Sequence, residues 1–294
     1  MRYSRNLVVS VISIAAFLAV LVTSGCGSSW ANETKADKMV EEMLAARHAR
    51  RQIEYPTKTY GAFSIDKAYR IQAELAEELS EELGPVVGYK VAYASKAAQE
   101  QFGVTEPAAG PFFSLQRVPN GSKLPAGHFM EIALETEVAF TIAKRIDQPI
   151  KDVAELKKYV RWAHAAFDAG DYPLVQGDTR PTAADMIASG TGAHVFVLGP
   201  AVDPGLVDVD AVTLKLIRDG ETIAQSAATN VMGSPWNSLL WCANHVVKLG
   251  GTLEPGTVIS TGTASPAYKV KGDAIEGQYI GDCGALGKVT LTLY

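Results

Sequence analysis

The sequence predicts an α+β fold, and three observations carry that prediction. Helical periodicity is concentrated in one early block, residues 33–83. After Pro85 the texture changes to short β-branched and aromatic runs punctuated by Gly and Pro. Few helical runs separate these strands, whereas a doubly wound parallel sheet needs a helix after nearly every one.

In chain order, the first element is an export signal over residues 1–31. Arg2 and Arg5 precede an uncharged apolar run, LVVSVISIAAFLAVLVT, and small residues follow in SGCGSSWANE. Two exits are open. Cys26 after Thr-Ser-Gly resembles a bacterial lipobox, with Thr23 where Leu is usual, and would carry a lipid. Cleavage between Ala31 and Asn32 would free a soluble protein instead. The lipoprotein exit is favoured, and either one predicts an exported, periplasmic or envelope-anchored chain. Losing both arginines takes the net charge from −5 to −7.

Residues 33–86 form a helical segment. KADKMVEEMLAARHARRQ leads into SIDKAYRIQAELAEELSEEL, where Ala68, Ile71, Leu75 and Leu79 share one stripe. Ser64 is a plausible N-cap and Gly84-Pro85 a stop. Residues 87–294 then carry the candidate strands: 86–93, 130–143, 194–199, 212–217, 222–228, 257–262 and 287–294. Asp219-Gly220 is a hairpin turn pair between two of them. Helices are predicted over 152–168, DVAELKKYVRWAHAAFD, and over 235–250, PWNSLLWCANHVVKLG.

A composition of 47% hydrophobic and 20% charged residues argues against disorder, and a net charge of −5 shows no basic footprint for nucleic acid or anionic lipid. Membrane association is expected only through a lipid on Cys26. Cys242 and Cys283 lack metal-site spacing and are read as buried free thiols, although an oxidising compartment would permit a disulfide. The five histidines show no metal spacing either.

The chemistry concentrates in LETEVAF, residues 134–140. In a strand, Glu135 and Glu137 project to one face while Leu134, Thr136 and Val138 face the other. Two adjacent carboxylates in low dielectric repel unless a proton or a cation intervenes. Mg²⁺, which takes one or two carboxylates plus waters and substrate oxygens, would resolve the conflict. A solvated edge strand is the ordinary explanation of such a pair. Lys90, the single charge in the apolar GYKVAY, is a second anomaly, since lysine is seldom buried without a reason.

Several landmarks in order, GYKVAYASKAAQEQFGV (88–104), LETEVAF, AAFDAGD (165–171), GSPWNSLLW (233–241) and LEPGTVISTGT (253–263), resemble the fumarylacetoacetate hydrolase superfamily. The similarity is to its 2-keto-4-pentenoate hydratase and 4-oxalocrotonate decarboxylase branch. The resemblance implies a mixed β-sheet roll with a small N-terminal helical layer. It also implies a homo-oligomer, Mg²⁺ or Mn²⁺ as cofactor, and a small 2-oxo acid or its enol as substrate. Glu135 and Glu137 would then ligate the ion with Asp168 as third ligand, at the end of the predicted helix and where the branch usually has Glu. Lys90 would be the catalytic proton carrier, tuned by desolvation and its neighbours. Thr261 and Gly262 would line the substrate pocket.

Two positions depart from that pattern. The branch carries an acid in a GVxxPDFG segment, whereas GVTEPAAG puts Ala108 there; Ser189-Gly190 stands where Asp-Asn is usual. The sequence therefore predicts a metal-dependent hydratase or decarboxylase. An exported 2-oxo acid binding protein and a C–C bond hydrolase are the alternatives. The hydrolase is disfavoured because only His128 could serve its lid.

Overall fold

The computed structural model describes residues 27–175, 180–270 and 272–294. Residues 1–26, with Arg2, Arg5, the apolar run and Cys26 of the predicted export signal, lie outside the described residues, whereas its last residues, 27–31, open a helix, so the helical segment begins before residue 33. No described helix is long and apolar enough to cross a membrane.

Three helices come first: α1 (Gly27–His48), α2 (Pro56–Tyr60) and α3 (Ile65–Leu83). The N-cap of α3 is Ser64, whose hydroxyl accepts from the Lys67 amide at 3.2 Å, and Gly84 ends the helix at φ 75°. Its stripe of Ala68, Ile71, Leu75 and Leu79 is buried, as the periodicity predicts. The strands follow as β1 (Val86–Ala92), β2 (Ala108–Phe113), β3 (Arg117–Val118), β4 (Ser122–Leu124), β5 (Ile132–Ile142), β6 (Val160–Asp171), β7 (Val195–Leu198), β8 (Thr213–Arg218), β9 (Glu221–Ala227), β10 (Val258–Ser260), β11 (Tyr268–Val270), β12 (Gly277–Asp282) and β13 (Lys288–Leu293). Between them lie α4 (Lys96–Phe102), α5 (Val153–Leu156), α6 (Ala183–Ala188) and α7 (Pro235–Lys248).

The strands form two mixed sheets. One runs β2-β1-β10-β5-β6-β7-β3 with β11 also pairing β5, and the other runs β4-β13-β12-β8-β9. Their facing sides, with α7, enclose the main core, to which β5 contributes Leu134, Val138 and Phe140 and β6 contributes Ala165, Phe167 and Ala169. A second cluster joins α1, α3 and α6 to the far side of the large sheet. The expected α+β sheet architecture is thus present. The Asp219-Gly220 pair makes the two-residue turn of β8–β9, with φ of 50° and 90°. Thr182 and Asp185 cap α6 reciprocally.

One predicted element is wrong in kind. The helix expected over 152–168 is the single turn of α5, a 3₁₀ turn and then β6, twelve residues of strand. The run WAHAAFDA favours helix on intrinsic propensity. β6 lies between β5 and β7 with both faces covered, so small alanines appear on both sides and the alternation that marks a half-buried strand is lost. Asp168 is consequently a mid-strand residue and not the end of a helix.

Candidate metal centre

The register of β5 and β6 builds the site. Glu135 pairs directly opposite Asp168, and Glu137 opposite Ala166. Opposite residues of an antiparallel pair share a face, so Asp168 projects with both glutamates, away from the main core. One carboxylate oxygen from each of Glu135, Glu137 and Asp168 lies within 4.8 Å of the other two. An aspartate suffices as the third acid because it stands directly across from Glu135.

The fourth charge is Lys90 on β1, which is 5% exposed. Its Nζ is in ion-pair contact with Asp168 Oδ2 and 3.8 Å from Glu135 Oε2. Glu137 is held from behind: its Oε2 accepts from the Ser260 hydroxyl at 2.6 Å and from the Gly262 amide at 2.7 Å. Its Oε1, and Oδ1 of Asp168, are buried without a hydrogen-bond partner among the described residues.

Three acids and one base in this setting cannot all carry their usual charges. Burial pushes the Glu135 carboxyl up to about 7, with Lys90 pulling down and Asp168 pushing further up. Glu137 is driven well above the carboxylate range by burial, then by Asp168 and Glu135. Burial works to lower the Lys90 ammonium, but Asp168, Glu135 and Glu137 outweigh it and hold the group above its ordinary value. Beside three carboxylates it stays protonated. Burial also raises Asp168, against the pull of Lys90. Acids outnumber bases here, so Lys90 keeps its proton. Oxygen donors in excess of available protons, two of them unpartnered, are what a hard divalent cation requires. The residues present fit such an ion.

The site opens into a cleft of about 450 Å³ lined by Lys90, Glu135, Tyr93, Tyr172, Asn230 and Lys269 among others. Thr261 and Gly262 are not on its wall. The Thr261 hydroxyl donates to the Val138 carbonyl at 2.8 Å and the Gly262 amide is taken by Glu137. Both lock β10 to β5 behind the acids, and their assignment to the substrate wall is corrected accordingly. At Gly262, with φ 91°, a Cβ would press on Ala94 and on the Val91 carbonyl, so the turn demands glycine. Ser189 is buried with its hydroxyl turned back to the Met186 carbonyl, and Ala108 lies across from Ala92. Neither supplies the cleft with a proton.

Ser260 and Tyr93 were not legible as site residues. Ser260 lies in an unremarkable strand. Tyr93 sits at φ 56°, a sparsely populated conformation for an aromatic residue, and its buried hydroxyl has no partner among the described residues. The one available signal was its place three residues after Lys90. Cys242 and Cys283 are free and buried.

Residues 86–292 match the family model for the fumarylacetoacetate (FAA) hydrolase C-terminal domain. The chain belongs to the fumarylacetoacetate hydrolase family. Within it, the chain is 30% identical to the 2-keto-4-pentenoate hydratase of Burkholderia vietnamiensis, over 76% of this chain and 84% of that one. It is 27% identical to the 2-oxo-hept-4-ene-1,7-dioate hydratase of Escherichia coli, over 85% and 97%. The fold is shared with 4-oxalocrotonate decarboxylase from Pseudomonas putida G7, solved with magnesium and adipate: TM-score 0.82, 20% identity, covering 89% of this chain and 98% of that one. The fumarylacetoacetate hydrolase fold therefore accounts for the sheet that brings β1, β5, β6 and β10 together.

Proposed function

We propose that this chain is a divalent-metal-dependent hydro-lyase of the 2-keto-4-pentenoate hydratase type, acting on a small 2-oxo acid or its enol. The convergence of Glu135, Glu137 and Asp168, with buried unpartnered oxygens on the last two, carries that conclusion. Relatives that are hydratases over most of their length support it. Glu135, Glu137 and Asp168 would hold Mg²⁺ or Mn²⁺. What such an ion supplies when bound is Lewis-acid polarisation of a 2-oxo group.

The chain's own residues do the rest. Ser260 and the Gly262 amide aim Glu137, and Lys90 Nζ holds a proton beside the acids for enol–keto exchange. The Tyr93 hydroxyl, which burial keeps protonated, is a further proton-bearing group of the cleft, on the residue that follows Ala92, the partner of Ala108.

Mg²⁺-loaded protein incubated with 2-hydroxypenta-2,4-dienoate should consume the dienoate and yield the hydrated 4-hydroxy-2-oxo acid. Tight metal and ligand binding with no turnover would replace the enzyme by the 2-oxo acid binding protein that Ala108 and Ser189-Gly190 favour.

Export belongs to the same proposal, supported by Arg2, Arg5 and the uncharged run after them, with residues 33–86 as helical segment and 87–294 as catalytic domain. The N-terminal mass of the mature protein tests it: a lipid-modified Cys26 or a start at Asn32 is expected, and an intact Met1 contradicts it. The homo-oligomer is tested by light scattering, where a monomeric mass refutes it.

A further inference from the structure

α1 runs out in Arg47-His48-Ala49-Arg50, where the two arginines, three residues apart, share a face. Both line a second pocket of about 280 Å³, set between the ends of α1 and α3 and the β3–β7 edge of the large sheet. It has no lining residue in common with the cleft beside the acids.

Its polar lining is rich in unused donors. Arg47 is half-buried and spends one long bond, 3.4 Å, on the Ala193 carbonyl. Neither Arg47 nor Arg50 has an ion pair among the described residues. Burial holds the Arg47 guanidinium below its ordinary value, with Asp171 and then Glu82 pulling it back. The His128 and His194 rings lie 4.8 Å apart. Burial lowers both, helped by Arg50 at His128 and by His128 and Arg47 at His194, which falls to about 3, so both rings are neutral. His194 Nε2 donates to the His128 carbonyl at 3.1 Å, while the His128 ring makes no hydrogen bond among the described residues. Two acids also line the pocket, and both are engaged. Glu82 contacts His48 at 2.7 Å, where both side chains are about half exposed and screened by solvent. Asp171 Oδ1 accepts from the Met130 and Glu131 amides at 2.9 Å each. Beyond the screened pair, Arg47, Arg50 and Asp171 leave one net positive charge. Much of the remaining lining is aliphatic: Leu79 and Leu83 of α3, Leu115, Val118 and Leu124. At about 30 Å³ per water-sized group, the pocket holds roughly nine such groups.

We propose that this pocket binds a medium-chain alkyl carboxylate. Arg47 and Arg50 hold the carboxylate, with the His128 ring as a further donor, and a chain of about eight carbons lies against Leu79, Leu83 and Val118. A planar guanidinium matches a carboxylate through two parallel N–H bonds. The ligand's single negative charge cancels the positive charge of the lining, and its chain covers the aliphatic wall. Glu135, Glu137 and Asp168 take no part in it.

The test is calorimetric titration of the Mg²⁺-loaded full chain with octanoate, 1-octanol and hexanoate. Octanoate is expected to bind about ten- to hundred-fold tighter than 1-octanol, which lacks the charge. It should bind about tenfold tighter than hexanoate, which is two methylenes shorter. Arg47→Met and the exposed Arg50→Met should each weaken octanoate about tenfold or more while leaving 1-octanol unchanged. Thermal melts show which variants are folded, and should Arg47→Met fail to fold, Arg50→Met decides. Octanoate affinity should be the same in EDTA; binding that vanishes with the metal would place the carboxylate at the three acids and overturn the proposal. No binding of octanoate, affinities equal to those of 1-octanol or hexanoate, or undiminished octanoate binding in the folded arginine variants would overturn it as well.

Discussion

Replacing Glu135 by Gln should stabilise the metal-free protein and abolish its response to metal. Glu135 is buried enough that its carboxyl is pushed from 4.5 to about 7, by burial first and Asp168 after the opposing pull of Lys90. A folded-state value above the unfolded one stabilises the fold below the unfolded value, and that stability is lost as pH rises through about 7. Keeping Glu135 ionised at pH 8 thus costs on the order of 3 kcal/mol. Glutamine removes the charge and keeps an amide oxygen of similar size. In EDTA at pH 8, Glu135→Gln should therefore raise Tm by roughly 5–10 °C, and at pH 4.5 by almost nothing. Saturating Mg²⁺ should raise Tm of the unmodified protein at pH 8 by mass action and leave the variant unmoved. Scanning fluorimetry at the two pH values, with EDTA and with Mg²⁺, reads all four arms. A lower Tm for the variant in EDTA at pH 8, or equal Mg²⁺ stabilisation of both proteins, would refute the reasoning.

Three further outcomes are expected. Ser260→Ala removes the 2.6 Å bond that aims Glu137 and should weaken Mn²⁺ affinity about ten- to hundred-fold by calorimetry; unchanged affinity would show that the Gly262 amide alone suffices. Lys90→Met should lower kcat about 10²- to 10⁴-fold while metal affinity holds or improves, because one cation leaves the acids; loss of metal binding instead would make Lys90 structural. Gly220→Val, at φ 90° in the β8–β9 turn, should cost about 1 kcal/mol or more in urea unfolding with no change in metal affinity, since the turn is remote from the acids.

The site's first strand was legible because β5 alternates: carboxylates and small residues on one face, Leu134, Val138 and Phe140 on the other. The cap at Ser64 and the Asp219-Gly220 turn were legible because they are local chemistry. β6 was not, because a strand covered on both faces loses its period and its alanines speak for helix. β2, AAGPFF, and β12, GQYIGD, are broken by Gly or Pro and gave no strand signal either. Family likeness rather than local pattern singled out Asp168, and what makes it fit is a register across two strands that one-dimensional sequence does not encode. Thr261 was placed at the pocket by family likeness alone, while its geometry turns its hydroxyl into the sheet.

Crystals soaked in Mn²⁺ and measured for anomalous scattering test the central claim most directly. One Mn²⁺ peak bonded to oxygens of Glu135, Glu137 and Asp168 together, with the Lys90–Asp168 contact loosened, is the expected result. A peak elsewhere, or a site in which Lys90 keeps Asp168 and no metal enters at saturating Mn²⁺, would contradict it.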